Sequence, residues 1–139
     1  SAIMSDNKPT YIYKIVPPSA APPDPLPDVL PLSELDAKSG FIHFSTAPQI
    51  LNTLRWFFKD ESKVYLLRVM YDNVDKDIRW EDPKAEVCGP RGGEGMFPHL
   101  YNGPKLGKNE VESVKALDKL EGGWEEAVQK AQLEGWLVY

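Results

Sequence analysis

The sequence predicts a single α+β domain. Segments typical of strands outnumber helical ones and do not alternate with them regularly, which argues against a parallel α/β sheet. A chain of 139 residues fits one domain that can bury a hydrophobic core, and 42% hydrophobic and 27% charged residues are ordinary values for a globular protein. We expect residues 1–10 to be disordered, with Ser1 to Ile3 an expression remnant ahead of Met4.

The folded part is predicted to begin with a strand and a long loop. Residues 11–16 are β-branched or aromatic apart from Lys14, which favours a strand. Residues 17–31 are dense in proline, which lacks the backbone donor and fixes φ, so they form neither regular helix nor central strand. An extended loop over the domain is favoured over a ligand for a polyproline-binding domain. The predicted anchors of this loop are apolar: Leu26, Val29, Leu30 and Leu32.

Candidate helix N-termini lie before and after a second predicted strand. Ser33 is a candidate cap for a short helix that extends to Lys38. The segment GFIHFST, residues 40–46, reads as a strand, and Thr46 with Gln49 matches a capping box for the helix that follows. This helix is predicted to end near residue 60. Its apolar stripe has helical spacing and comprises Ile50, Leu54, Phe57 and Phe58.

The second half is predicted to contain strands, a long loop and two helices. Residues 63–69 and 78–81 read as strands, residues 82–96 as a glycine-rich loop, and residues 97–101 (FPHLY) as another strand. A helix capped by Asn109 is predicted from the spacing of Val111, Val114, Leu117 and Leu120. Residues 124–134 follow as a second helix, and residues 136–139 as a last strand or a docked tail. The predicted core includes Ile42, Phe44, Ile50, Leu54, Phe57, Leu66 and Val114.

Charge and cysteine content limit the function classes. A net charge of −5 argues against a general nucleic-acid binder, which needs a basic surface. The single cysteine, Cys88, excludes an internal disulfide and fits a reducing compartment. No apolar run reaches the ~20 residues that cross a bilayer, so we expect no membrane partner. A cytoplasmic location is predicted, with a nuclear one left open, and the oligomeric state is open.

The two histidines are the main functional signal. His43 shares a predicted strand face with Phe41 and Ser45, because strand residues alternate between faces, and His99 shares one with Tyr101. If these faces meet, one cleft contains two groups that titrate near neutral pH. The alternative is two separate histidines that only help packing. No ligand-spaced motif surrounds them, so no metal is expected.

Further polar residues complete a candidate cleft. Its members are His43, Ser45, Glu81, Arg91, His99 and Tyr101. Arg91, in the glycine-rich loop, can bind a phosphate or carboxylate, and Glu81 can act as a base or stabilise a developing cation. The alternatives are a solvated loop charge for Arg91 and a structural ion pair for Glu81.

Four segments resemble the family called domain of unknown function 952. They are YIYKI at residues 11–15, GFIHFST, RWE at residues 79–81, and RGGEGMFPHLY at residues 91–101. We therefore expect a family domain over residues 11–121, with residues 122–139 as an additional helix and tail docked on it. The chain departs from the family pattern where the proline-rich stretch replaces a tryptophan after the first strand, and in the longer loop before FPHLY.

The resemblance implies a fold like that of ADP-ribosyltransferases and RNA 2′-phosphotransferases. That fold is a split, curved β core with a cleft that holds NAD in relatives, here packed with two to four helices. In active relatives the first strand supplies an arginine or histidine to the cofactor, and the matching position here is Lys14 or Tyr13. Ser45 and Thr46 match the serine or threonine position of the second core strand. Glu81 or His99 would replace the catalytic glutamate.

Two functional hypotheses follow. The first is an ADP-ribosyltransferase-like enzyme that uses NAD or another small phosphate-bearing nucleotide. The second is a noncatalytic module that binds a small ligand or a protein without chemistry. The expected catalytic residues are His43, Glu81 and His99. The expected ligand-binding residues are Tyr13, Lys14, Ser45, Thr46, Arg91 and Tyr101.

Overall fold

Two antiparallel sheets of three strands each form the framework. The computed structural model describes residues 7–139. One sheet has the order β1–β3–β6 and the other the order β2–β5–β4. In chain order, the strands are β1 (Tyr11–Val16), β2 (Ile42–His43), β3 (Lys63–Met70), β4 (Ile78–Glu81), β5 (Phe97–Leu100) and β6 (Val111–Asp118).

Three α-helices lie within the described residues. They are α1 (Glu34–Ser39), α2 (Ile50–Phe57) and α3 (Gly123–Leu133). Ser33 caps α1 by accepting a hydrogen bond from the Asp36 amide, and the Thr46–Gln49 capping box precedes α2, as the sequence predicts. The predicted α+β class with a single small domain is confirmed, as is the expected number of helices.

Alternation along β1 divides the core into two layers. Tyr13 and Ile15 point to a cluster that includes α2 and α3, whereas Ile12 and Val16 point to a cluster between the two sheets. Both faces of the β1–β3–β6 sheet are therefore covered by apolar side chains. Of the predicted core, the residues that are buried are Ile42, Phe44, Ile50, Leu54 and Leu66.

The predicted helix from Val111 to Leu120 is wrong, because most of this segment forms strand β6, paired with β3. Apolar residues spaced by three are typical of a helix. They also occur in a strand whose side-chain alternation is interrupted once by a β-bulge. The register shifts between Arg68 and Val69, and this bulge lets Leu117 enter the helix-side cluster while Val111 enters the cluster between the sheets. Val114 is 39% exposed at the sheet edge, so its core assignment is also wrong.

The inward face of α2 differs from the prediction at one position. Its buried row is Ile50, Leu54 and the half-buried Phe58, which lie four residues apart. Phe57 is 73% exposed, so its assignment to the core is wrong. The helix ends at Phe57 rather than near residue 60.

The proline-rich segment is an extended loop that is held mainly at its C-terminal end. Leu26, Leu30 and Leu32 pack against the cluster between the sheets, whereas Val29 is 52% exposed and does not anchor the loop. The Leu30 amide donates to the Leu106 carbonyl at 2.7 Å. This end of the loop is thus fixed to the segment before β6.

The C-terminal residues dock as a tail rather than as a strand. The Tyr13 hydroxyl accepts a hydrogen bond from the Val138 amide at 2.9 Å, and the Thr10 amide donates to the Tyr139 carbonyl at 2.6 Å. The segment ahead of β1 and the tail therefore meet. Of the N-terminus predicted to be disordered, residues 1–6, including the expected expression remnant, lie outside the described residues.

Candidate functional site

The two histidines are direct partners across neighbouring strands. His43 of β2 pairs with His99 of β5, and their ring centroids are 5.0 Å apart. Ile42 and Leu100, the neighbouring pair, point to the opposite face and are buried between the sheets. The predicted shared location of the two imidazoles is confirmed.

A buried aspartate holds His43. Asp36 is 1% exposed; its Oδ1 lies 2.7 Å from His43 Nδ1 and its Oδ2 lies 2.6 Å from Lys14 Nζ. The chain brings Asp36 there because Gly40 caps the C-terminus of α1 with a φ of +81°, which glycine adopts readily, and the chain then returns as β2. The result is a chain of contacts from Lys14 through Asp36 to His43.

Burial and pairing oppose each other in this first cluster. Burial lowers the pKa of Lys14 below its ordinary value, and the Asp36 carboxylate offsets only part of that effect. Burial by itself raises the pKa of Asp36, but the hydrogen bonds and charges of His43 and Lys14 outweigh it and hold this pKa below the ordinary value. Asp36 therefore stays ionised near neutral pH.

A second buried carboxylate holds His99. Glu81 Oε1 lies 2.9 Å from His99 Nδ1 and accepts a hydrogen bond from the Tyr101 hydroxyl at 2.6 Å. His99 is 1% exposed and Glu81 is 4% exposed. The Cys88 thiol approaches the other carboxylate oxygen of Glu81 at 3.8 Å. Glu81 thus lies behind His99, on the Nδ1 side of its ring.

The pKa values of this second cluster are also shifted. Burial lowers the pKa of His99, and the hydrogen bond with Glu81 offsets part of the effect. For Glu81, burial raises the pKa, but the bonds from Tyr101 and His99 outweigh it and the net direction is down. Burial and the adjacent carboxylate raise the pKa of Tyr101 to about 12. Near neutral pH this cluster combines an ionised Glu81 with an uncharged His99 and Tyr101.

Phe41 packs against all three rings of this face. Its centroid lies 4.5 Å from that of His43, 4.4 Å from that of His99 and 4.9 Å from that of Tyr101. Arg79, the register partner of His99 on β4, lies over the outer face of Tyr101 at 4.3 Å. The imidazoles are therefore fixed by ring contacts as well as by their carboxylates.

A cavity of about 1420 Å³ opens beside the imidazoles. Among its lining residues are six predicted site residues: Tyr13, Lys14, His43, Ser45, His99 and Tyr101. The Nε2 atoms of both histidines have no hydrogen-bond partner among residues 7–139. Each imidazole is thus held on its Nδ1 side by a carboxylate, and its second nitrogen has no partner within residues 7–139.

The other predicted site residues lie elsewhere or have structural contacts. Tyr13 borders the cavity, but its hydroxyl binds the tail at Val138. Thr46 caps the turn before α2, and Glu81 does not line the cavity. Arg91 lies outside the cavity, with its guanidinium 3.0 Å from Asp75.

Arg91 is distant because of where its loop runs. Residues 82–96 leave the end of β4 and carry the guanidinium over Tyr71, 5.6 Å from the ring centroid, on the side of the two 3-10 turns that connect β3 to β4. Phosphate binding by Arg91 in the cleft, as the sequence predicts, is therefore not supported by its position. The first strand contributes Lys14 rather than Tyr13 to the polar end of the cavity.

Sequence reasoning missed Asp36 as a member of the site. The available signal was its place seven residues before His43 and three residues after the capping Ser33, on a helix too short to separate Asp36 from His43. It also missed Thr53, whose hydroxyl lies 3.3 Å from that of Ser45, and Lys84, both of which line the cavity.

Neither a metal centre nor a membrane-spanning helix occurs among residues 7–139. Over residues 7–139, no group of three or more histidine, cysteine, aspartate or glutamate side chains is placed to hold a metal ion. In the same part of the chain, no helix has the length and apolar character required to cross a bilayer.

Comparison with known proteins identifies the family. The model of the family described as "Protein of unknown function (DUF952)" matches residues 27–114. The chain belongs to this family. The crystal structure of protein CC0527 from Caulobacter crescentus is similar, with a TM-score of 0.65 and 27% identity, covering 86% of this chain and 99% of the other.

Two further structures of the same bacterial protein are also similar to this chain. The crystal structure of a double mutant of CC0527 gives a TM-score of 0.64 at 27% identity, over 86% of this chain and 99% of that one. The solution NMR structure gives 0.58 at 30% identity, over 82% of this chain and 90% of that one. No protein with a curated description matches the chain. Membership of the DUF952 family thus defines the fold but assigns no activity.

Proposed function

We propose that this protein binds a small organic ligand in the cleft and that His43 and His99 exchange protons with it. One observation carries this proposal: two carboxylate-held imidazoles lie 5.0 Å apart on the wall of a large cavity. A carboxylate at Nδ1 fixes the tautomer and ring orientation and leaves Nε2 to accept or donate a proton.

The two imidazoles can have different roles in this exchange of protons. Burial lowers the pKa of His99, so its ring is neutral near pH 7 and Nε2 can accept a proton. The His43 side chain is 24% exposed and is held by Asp36, so a ligand reaches it more easily than it reaches His99. In this proposal His99 acts as the base and His43, the more accessible ring, as the acid.

The chain itself makes this proposal testable by NMR, because it contains only two histidines. Histidine-labelled protein should give two imidazole signals, which the variant His99→Gln assigns. A ligand in the cleft should shift both signals, whereas one bound elsewhere shifts neither. We would screen nucleotides, short carboxylates and inorganic phosphate. Binding of some compound by calorimetry with both imidazole signals unchanged would contradict the proposed site.

A phosphate-bearing nucleotide such as NAD is the second candidate ligand, with ADP-ribosyl transfer as the reaction. The family resemblance supports it, as do Phe41, a flat ring beside both imidazoles, and the two lysines of the cavity lining, Lys14 and Lys84. Because Glu81 is behind His99 and Arg91 pairs with Asp75, Lys14 and Lys84 would bind the phosphates in this case. The ADP-ribosyltransferase-like fold itself stays a prediction.

Calorimetry with NAD and ADP-ribose separates these candidates. If a nucleotide binds as proposed, Lys84→Ala should weaken it by roughly ten- to a hundredfold, the value of a hydrogen bond to a charged group. Arg91→Ala serves as the matched control and should leave the affinity unchanged. If Arg91→Ala weakens binding and Lys84→Ala does not, the phosphates bind at the glycine-rich loop instead. If neither NAD nor ADP-ribose binds at millimolar concentration, the nucleotide candidate is excluded. Binding without release of nicotinamide would favour the noncatalytic alternative.

A further inference from the structure

The cavity extends beyond the imidazoles into an apolar lobe. This lobe is lined by Val16, Leu30, Leu32, Phe44, Leu67 and Leu106. All six belong to the cluster between the two sheets or pack against it. The space is therefore a gap at the edge of the hydrophobic core, and apolar surface in it gains free energy when a ligand excludes water.

The outer wall of the lobe is the start of the proline-rich segment. Ala20, Ala21, Pro22 and Pro23 line the cavity from the solvent side. Among the described residues, the hydrogen bonds of their backbone amides are local, from Ala20 to Pro17 and from Ala21 to Pro18. This wall covers the lobe without filling it and offers almost no polar groups to a ligand.

Lys14 marks the boundary between the polar and apolar parts of the cavity. Its side chain leaves β1 on the same face as Val16, two residues further along, and its ammonium ends at Asp36 beside His43. Cations and hydrogen-bond donors thus lie at one end of the lobe. The charged groups lining the whole cavity are Lys14, Lys84 and Asp36, so the lining has a net positive charge even with both imidazoles neutral.

We propose that the ligand is a linear acyl compound with a carboxylate head group. The head lies at Lys14 and His43, and the hydrocarbon chain extends under the proline-rich wall into the apolar lobe. This inference rests on the proposed function, since it places the ligand in the same cleft. A carboxylate fits because it accepts a charge-assisted hydrogen bond from the ammonium of Lys14 and is attracted by the net positive charge of the lining.

The first test is a chain-length series. Calorimetry with butanoate, hexanoate, octanoate and decanoate, each below its micelle concentration, should show affinity rising about fourfold per methylene, which corresponds to ~0.8 kcal/mol. Alkylamines of equal length serve as controls for the head group and should bind more weakly. Equal affinity across the carboxylates, or tighter binding of the amines, would overturn the proposal.

The second test fills the lobe by mutation. Ala21→Trp adds bulk at an exposed residue that lines the cavity, and it should abolish the gain from hexanoate to decanoate. Val29→Trp is the matched control, because Val29 is 52% exposed in the same loop and does not line the cavity. Urea unfolding should show both variants folded. If the two variants bind decanoate alike, the chain does not occupy the lobe and the proposal is overturned.

The imidazole signals distinguish this inference from the proposed function. Short carboxylates that shift both histidine signals without any dependence on chain length would overturn the acyl ligand and leave the acid–base cleft standing. If no carboxylate binds but a nucleotide shifts the histidine signals, the acyl ligand is again overturned and the acid–base cleft stands. A chain-length series that shifts neither histidine would overturn both.

Discussion

The two halves of the cleft use the same pair of groups in different electrostatic settings. On each side a buried carboxylate holds Nδ1 of an imidazole, at 2.7 Å for His43 and 2.9 Å for His99. The second partner of the carboxylate differs, since Asp36 also binds the ammonium of Lys14 whereas Glu81 also binds the neutral hydroxyl of Tyr101.

This difference shows how the second partner determines what each pair can do. The Lys14 charge balances Asp36 when His43 is neutral, so the first half is an ion pair with an attached imidazole. In the second half only hydrogen-bond donors contact Glu81, and Arg79 lies beyond the Tyr101 ring. The stability of the second half therefore depends on the hydrogen bonds that Glu81 accepts from His99 and Tyr101 near neutral pH.

The largest effect is expected from breaking the ion pair. Asp36→Ala leaves the ammonium of Lys14 buried without its partner, and such a loss destabilises proteins by about 3–5 kcal/mol. Urea unfolding measures this difference. The double variant Lys14→Met, Asp36→Leu removes both charges and should regain most of the stability. A loss below ~1 kcal/mol for Asp36→Ala would mean that the ammonium reaches solvent.

A smaller effect is expected from the hydrogen-bonded half. Glu81→Gln keeps the shape and a carbonyl acceptor but weakens the bonds from His99 and Tyr101, so we expect a loss of about 1–3 kcal/mol. Glu125→Gln is the control of identical chemistry, because Glu125 forms an exposed ion pair with Arg55 and should change stability by less than ~0.5 kcal/mol. Equal losses in the two variants would contradict the buried role of Glu81.

The pH dependence should distinguish the halves further. Because the folded-state pKa of His99 is lowered, the unfolded chain binds its proton more tightly, and stability should fall as the pH decreases below about 6.5. His99→Gln should remove this component of the slope. The stability from the lowered pKa values of Asp36 and Glu81 is present above about pH 4.3 and is lost as the pH falls through their folded-state values. Unfolding measured between pH 5 and 8 tests the first step, and an unchanged slope in His99→Gln would contradict it.

The smallest effect concerns the ionisation of one tyrosine. Tyr101 should titrate at a pKa of about 12, because its hydroxyl is buried against an ionised Glu81. In Glu81→Gln this value should fall towards the ordinary value of about 10. NMR of tyrosine-labelled protein follows the titration, with Tyr101→Phe to assign the signal. A value near 10 in the wild type would show that the hydroxyl faces water.

Local patterns sufficed for most of the fold but not for β6. The strand over residues 11–16 and the helix caps at Ser33 and Thr46 depend on nearby residues, so sequence spacing predicts them well. The face of Val111 depends on a bulge in the pairing with β3, a long-range feature that leaves no local signature. The same spacing of apolar residues then favours a helix by mistake.

Similar reasoning explains which site residues the sequence could predict. The two imidazoles lie within distinctive strand segments, so the shared face follows from alternation and pairing. Asp36 reaches His43 only because of the turn at Gly40, and the position of Arg91 depends on how a long loop crosses the surface. Contacts made through turns and loops require the structure.

The proline content of the loop has a consequence for the energetics of binding. Seven of the thirteen prolines fall within residues 17–31. Each fixes its own φ and restricts the residue before it, so this segment has few alternative conformations even in the unfolded chain. Because this wall loses little conformational entropy on folding, it can remain ordered above the cavity without a network of hydrogen bonds. A ligand that binds beneath this wall therefore causes little further loss of loop entropy. More of the free energy of its contacts then appears as affinity.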